Sequence, residues 1–177
     1  MSLAIPTSLV HSGARKETDR MSSKELPHTH ECFVCGESNV LGLQVRFTWE
    51  DDQAVVRFTP TEERCGYRGI VHGGVLSALI DETMGWAPAY VKKMMAVTAE
   101  MTVRFVKPVP VGTPLVVTGR FTEDKKYYWK TAGEIRGEDG TLYVTGTAKF
   151  VPIGKEESAR VDQEMMIYPE GEPRLFS

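Results

Sequence analysis

The sequence predicts an α+β fold in which a curved antiparallel β-sheet of about six strands wraps around one long central helix. Three observations carry this expectation. Runs of alternating apolar residues lie on both sides of one segment with helical spacing. That segment is apolar around more than half its circumference, so it must be enclosed on most sides. Short turns between the strands restrict pairing to neighbours. Such a sheet leaves an unpaired edge and a broad apolar face, and both call for a partner subunit.

Leu43, Val45, Phe47 and Trp49 alternate with polar residues, and a second run passes through Val55, Val56 and Phe58. Asp51-Asp52 between them marks a hairpin. From Val71 to about Val91 the period changes, with Val75, Leu76, Leu79, Ile80, Met84 and Trp86 at spacings of three and four. This predicts a helix of some five turns, strained or ended near Pro88. Four extended runs follow, Val97 to Val106, Leu115 to Thr122, Tyr127 to Arg136 and Leu142 to Val151. Asp124-Lys125-Lys126 and Gly137-Glu138-Asp139-Gly140 separate the later ones.

Residues 1–31 are polar and without a sustained period, and Met21 offers a second start position; they are expected to form a flexible N-terminal arm. Residues 32–153 carry the periodic domain. Residues 154–177, charged and punctuated by Pro169, Gly171 and Pro173, are expected to be a C-terminal tail on which Met165, Met166, Ile167 and Tyr168 could dock.

The chain of 177 residues has 41% hydrophobic and 25% charged residues, the size and composition of one globular domain. Its 21 Lys and Arg are outnumbered by 24 Asp and Glu, for a net charge of -3, and no basic block exceeds a Lys-Lys pair. Nucleic acid is therefore not an expected partner. No apolar run approaches the roughly 18 residues that span a bilayer, and no membrane association is expected. Three cysteines, Cys32, Cys35 and Cys65, suit a reducing cytoplasm better than a disulfide framework.

Chemistry concentrates around Val71-His72-Gly73-Gly74-Val75. Gly73 and Gly74 stand at the helix entrance, where the first backbone N–H groups lack intrahelical partners and the dipole favours negative charge. Without Cβ atoms they would let a ligand approach, so a polarised carbonyl could be held there as in an oxyanion hole. The alternative is structural: the glycines permit a tight turn and His72 caps the helix. Asp81, beside Glu82 in the middle of the apolar helix, is either a tuned base or nucleophile, or part of a solvated stripe. Nine residues separate His72 from Asp81, roughly 180° of rotation and about 13.5 Å of rise, so the two cannot converge within one chain. Two antiparallel helices related by a dyad would bring the Gly73 end of one to Asp81 of the other.

These residues resemble the hotdog-fold acyl-CoA thioesterases of the phenylacetic-acid-degradation (PaaI-like) type. The carriers are Cys32-Phe33-Val34-Cys35-Gly36 with Asn39 and Gly42-Leu43, then Gly66 to Leu76 running into Leu79-Ile80-Asp81-Glu82, and Phe105 to Gly112. The resemblance implies hydrolysis of an acyl-CoA thioester to a carboxylic acid and coenzyme A, without metal or further cofactor, in a homodimer or homotetramer. It implies that the Gly73 N–H polarises the carbonyl, that Asp81 is nucleophile or water-activating base, and that Thr98 orients the carboxylate or water. The chain departs from many relatives in reading Arg64-Cys65-Gly66 where they carry Asn or Gln ahead of the histidine.

Other signals are weaker. Met84 and Trp86 could line an acyl pocket, with core packing as the default. Arg104, Lys107, Lys125 and Lys126 could meet coenzyme A phosphates or be ordinary solvated charge. His28, His30, Cys32 and Cys35 have ligand types for zinc, but in so compact a string that no metal is expected. Cys65 lacks a paired histidine other than His72. No Gly-x-Ser-x-Gly elbow and no dinucleotide or phosphate loop is present. The rival functions are a non-catalytic acyl-CoA-binding or sensing module and a hotdog hydratase or dehydratase.

Overall fold

The computed structural model describes residues 23–176. Most of the expected N-terminal arm thus lies outside the described residues, but its last part does not behave as an arm. Strands β1 (Lys24–Glu25) and β2 (His28–Thr29) flank Leu26, which is fully buried. The apolar Leu26 side chain anchors this stretch, and the fold begins before residue 32.

Strands β3 (Phe47–Glu50) and β4 (Gln53–Phe58) form the expected hairpin around Asp51 and Asp52, both at positive φ. The alternating run enters the sheet only at Phe47. Gln44 at φ 53° interrupts it, and the Leu43 and Val45 N–H groups donate to the carbonyls of Phe33 and Val34 instead. Leu43 and Val45 are still buried, so the period reports burial rather than sheet pairing.

A short pair, β5 (Cys65–Tyr67) and β6 (Ile70–Val71), leads into helix α1 (Gly73–Lys92). The helix runs past Pro88, whose neighbourhood from Trp86 to Ala89 is buried, and ends where Lys93 turns left-handed at φ 50°. Tertiary packing holds the turn that the proline weakens. Strands β7 (Ala96–Phe105), β8 (Leu115–Asp124), β9 (Trp129–Gly137) and β10 (Leu142–Pro152) then complete an antiparallel sheet in the order β1-β3-β4-β8-β9-β10-β7. The six expected strands are present, with β1 as a short seventh on one edge. The opposite edge is β7, ten residues long and mostly exposed.

Close contact between helix and sheet depends on glycine. Gly119, Gly133 and Gly146 lie side by side across β8, β9 and β10. A Cβ on Gly119 would come within 2.3 Å of the Thr83 carbonyl oxygen, and one on Gly133 within 2.8 Å of the Met84 side chain. Ile80, Thr83 and Met84 fill that trough and are fully buried.

The expected tail is built into the fold. Helix α2 (Lys155–Met165) leads to β11 (Met166–Ile167), which pairs with β2. Asp162, 1% exposed, accepts from Arg174 at 3.0 Å and from the Tyr168 hydroxyl. Phe176 is buried, its ring 6.5 Å from that of Trp86.

Candidate active site

His72 is the N-cap of α1, and its ring Nδ1 accepts a hydrogen bond from the Gly74 N–H at 2.8 Å. The capping reading of His72 therefore holds, and the Gly74 amide is engaged by that cap rather than open to a ligand. The Gly73 N–H has no acceptor among the described residues. The Phe105 ring roofs Gly73, so that a Cβ there would sit 3.2 Å from Phe105 Cζ. His72 and Gly73 line a cavity of about 450 Å³ whose wall includes Tyr67, Leu76, Phe105 and Lys107. The exposed Phe105 ring, the helix N-terminus and Lys107 thus face one opening.

Asp81 lines a different cavity, of about 360 Å³, and the two share no lining residue. The Thr98 hydroxyl, on edge strand β7, donates to Asp81 Oδ1 at 2.8 Å. Burial pushes the Asp81 carboxyl above its usual range, and the Thr98 hydrogen bond opposes that shift in part. Around the carboxylate the wall is apolar: Trp86, Ala89, Val97, Phe150, Val161 and Phe176 contribute. Asp81 and Glu82 are therefore not a solvated stripe. The C-terminal segment, read from the sequence as a tail, supplies part of the wall through Val161, Met166 and Phe176.

Met84 lies in the core against Gly133 and Gly146 and does not reach either cavity, which corrects its assignment as a substrate contact. One residue pair later on the helix, Trp86 does reach the Asp81 cavity. Arg104 sits on the exposed part of β7, outside both cavities, whereas Lys107 lines the Gly73 one. Arg64 donates to the carbonyls of Leu41 and Gly42, a structural tie, and Cys65 lines neither cavity.

Sequence reasoning missed Glu82. The Cys32 thiol donates to Glu82 Oε2 at 2.9 Å, and Cys35 completes a cluster with all three functional atoms within 4.8 Å of one another. The neighbouring Cys35 thiol, together with the Glu82 contact and backbone N–H groups, holds the Cys32 thiol below its ordinary range, and burial pushes the Glu82 carboxyl above its own, so the two groups share one proton. His28 and His30 turn instead to Glu37, at 3.2 and 3.4 Å, so the His-His-Cys-Cys string does not converge. Nothing local to the helix marks Glu82, because its partner lies fifty residues earlier.

Residues 68–144, from the turn after β5 to the first residues of β10, match a family model. That model describes the thioesterase superfamily. A solved thioesterase superfamily protein has the same fold with a TM-score of 0.64 at 33% identity, over 69% of this chain and 60% of that one. The E. coli PaaI protein from the phenylacetic acid degradation operon superposes with a TM-score of 0.58 at 24% identity, over 63% of this chain and 81% of that one. Acyl-coenzyme A thioesterase THEM4 of Mus musculus is 30% identical over 94 residues, 52% of this chain and 40% of its own length. The chain spans about half or less of the length of the curated relatives it matches. The architecture is the hotdog fold that these solved structures share, a helix wrapped by an antiparallel sheet.

Proposed function

We propose that the protein hydrolyses acyl-CoA thioesters to a carboxylic acid and coenzyme A, at composite sites shared by two copies of the chain. The observation that carries this reading is Asp81, held by Thr98 in a largely apolar cavity of a thioesterase-superfamily fold. The likeness to an acyl-coenzyme A thioesterase supports the substrate class.

In this scheme a homodimer, alone or paired into a tetramer, aligns two α1 helices antiparallel. The separation of the Gly73 and Asp81 cavities within one chain supports such sharing. The long exposed edge β7 is a surface for joining two sheets. Water attacks the thioester carbonyl carbon while Asp81 takes its proton. The oxyanion is held by the Gly73 N–H, which has no acceptor among the described residues, and by the helix dipole. Collapse of the tetrahedral intermediate breaks the C–S bond, and the proton passes from Asp81 to the departing thiolate. Lys107 beside Gly73 is placed for a phosphate of the substrate. The reaction uses no cofactor beyond the coenzyme A of its substrate, and a reducing cytoplasm would keep the three cysteines as thiols. A hydratase would need a matched acid/base pair at the substrate carbon; with Nδ1 accepting from Gly74, a neutral His72 carries its proton on Nε2 and has no free nitrogen to act as the base.

The test is thiol release from a panel of aromatic and short to long aliphatic acyl-CoAs, with Asp81→Ala as control. Turnover by the wild type and a loss of at least about 10² in the variant are expected. Binding with thermal stabilisation but no thiol release would identify a non-catalytic acyl-CoA module. Near-normal activity of Asp81→Ala would remove that carboxylate from the mechanism.

A further inference from the structure

We propose that Cys32, Cys35 and Glu82 form a binding site for a borderline-soft divalent cation of the zinc type. The site is built by a loop and a helix that meet only in the folded chain. In the loop, the Gly36 N–H donates to the Cys32 carbonyl at 2.9 Å, closing a Cys-x2-Cys turn that puts both sulfurs on one side. A Cβ at position 36 would lie 2.4 Å from the Cys32 carbonyl oxygen, so glycine is required there. The Val34 N–H donates to Cys32 Sγ at 3.2 Å, the kind of contact that favours a thiolate. Helix α1 presents Glu82 to the same point, 2.9 Å from Cys32 Sγ.

Geometry suits one ion. Zinc bonds of about 2.3 Å to sulfur and about 2.0–2.2 Å to oxygen place the ligand atoms of a tetrahedral centre between about 3.3 and 3.8 Å apart. The three atoms here already lie within 4.8 Å of one another, so small side-chain rotations bring them onto a common cation.

Electrostatics point the same way. Two thiols and the Asp81 and Glu82 carboxylates line this cavity, and no Lys, Arg or His does so among the described residues. Arg46, which reaches the loop, donates to the Cys35 and Val45 carbonyls, and His28 and His30 are engaged by Glu37. A half-buried carboxylate among sulfurs with no protein cation is stabilised when a metal ion supplies the positive charge. A Cys32–Cys35 disulfide would do the opposite, because it removes the thiol that now donates to Glu82. Three protein ligands leave a fourth position open, toward the cavity that Asp81 and Thr98 also line. The inference does not depend on the hydrolytic reading, and it departs from the metal-free expectation drawn from the compact His-His-Cys-Cys string.

The test is titration of reduced, chelator-stripped protein with Co²⁺, followed by Zn²⁺ competition. One equivalent is expected to produce a thiolate-to-cobalt charge-transfer band that Zn²⁺ abolishes. Cys32→Ser and Cys35→Ser should each weaken binding by at least about tenfold, and so should the near-isosteric Glu82→Gln. Cys65→Ser, whose thiol is remote from the cluster, should bind as the wild type does. Absence of the band from protein that is folded by circular dichroism overturns the proposal. So does a band that survives unchanged in Cys32→Ser and Cys35→Ser, or full affinity in Glu82→Gln.

Discussion

The Thr98 hydroxyl donates to Asp81 Oδ1 at 2.8 Å, tying the exposed edge strand β7 to the middle of the buried helix. This contact joins two elements that face different surroundings. One end of it is a carboxylate destabilised by burial; the other is a hydroxyl on the mostly exposed edge of the sheet.

Thr98 is a positioning residue, and its removal should act through Asp81. Thr98→Ala is expected to lower kcat about fivefold to tenfold, the worth of one hydrogen bond of about 1 kcal/mol, with KM little changed. Thr98→Ser should restore most of the loss. Steady-state kinetics on the best acyl-CoA of the panel check this, and an unchanged kcat in Thr98→Ala would mean that the contact is structural.

Gly73 tests the oxyanion contact separately. An added Cβ would meet the Phe105 ring at 3.2 Å and crowd the approach to the Gly73 N–H. Gly73→Ala is expected to fold with unaltered helix content and to lose kcat/KM at least about tenfold, since a single oxyanion donor can carry 10²–10³. Circular dichroism and thiol release measured on the same preparation decide it.

Met84 and Phe176 should separate stability from specificity. Met84 is enclosed by the glycine trough, so Met84→Ala is expected to cost about 2–5 kcal/mol in urea unfolding while leaving acyl preference unchanged. Phe176→Ala opens the wall beside Trp86 and should shift the preferred acyl group as well as destabilise the fold. Unfolding midpoints and the acyl-CoA panel, run on both variants, supply the two readouts.

Glu50 gives the fold an acid-sensitive contact. The Arg57 guanidinium, 2.9 Å away on the neighbouring strand, holds its carboxyl down to about 2, with Thr48 helping. Because the folded pKa is depressed, its stabilisation is present above the ordinary carboxylate range and is lost as pH falls from about 5 towards 2. Glu50→Gln should flatten the fall of the urea midpoint across that interval and leave the rest of the pH profile unchanged.

Much of the architecture was legible because burial imposes a period on a strand or a helix locally. The spacing from Val75 to Trp86 located α1 to within two residues at its start, and the paired aspartates and the Gly137–Gly140 cluster marked real turns. The same logic failed at Leu43 and Val45, where a loop docked on the Cys32 turn buries alternate residues without sheet pairing. It also left Met84 open between core and acyl pocket, since periodicity says that a helical side chain is buried but not whether it faces core or cavity.

The sequence by itself determined the helix, six of the strands, the paired glycines at the helix entrance and the impossibility of His72 and Asp81 meeting within one chain. These follow from spacing along a regular element. Only the tertiary structure decided that the C-terminal segment from α2 to Phe176 walls the cavity and that Cys32 and Cys35 face Glu82, and it supplied the contact behind the role that the resemblance implied for Thr98. Each of those relationships joins residues far apart in the chain, and contact between them depends on how whole elements pack, which no local pattern of residues encodes.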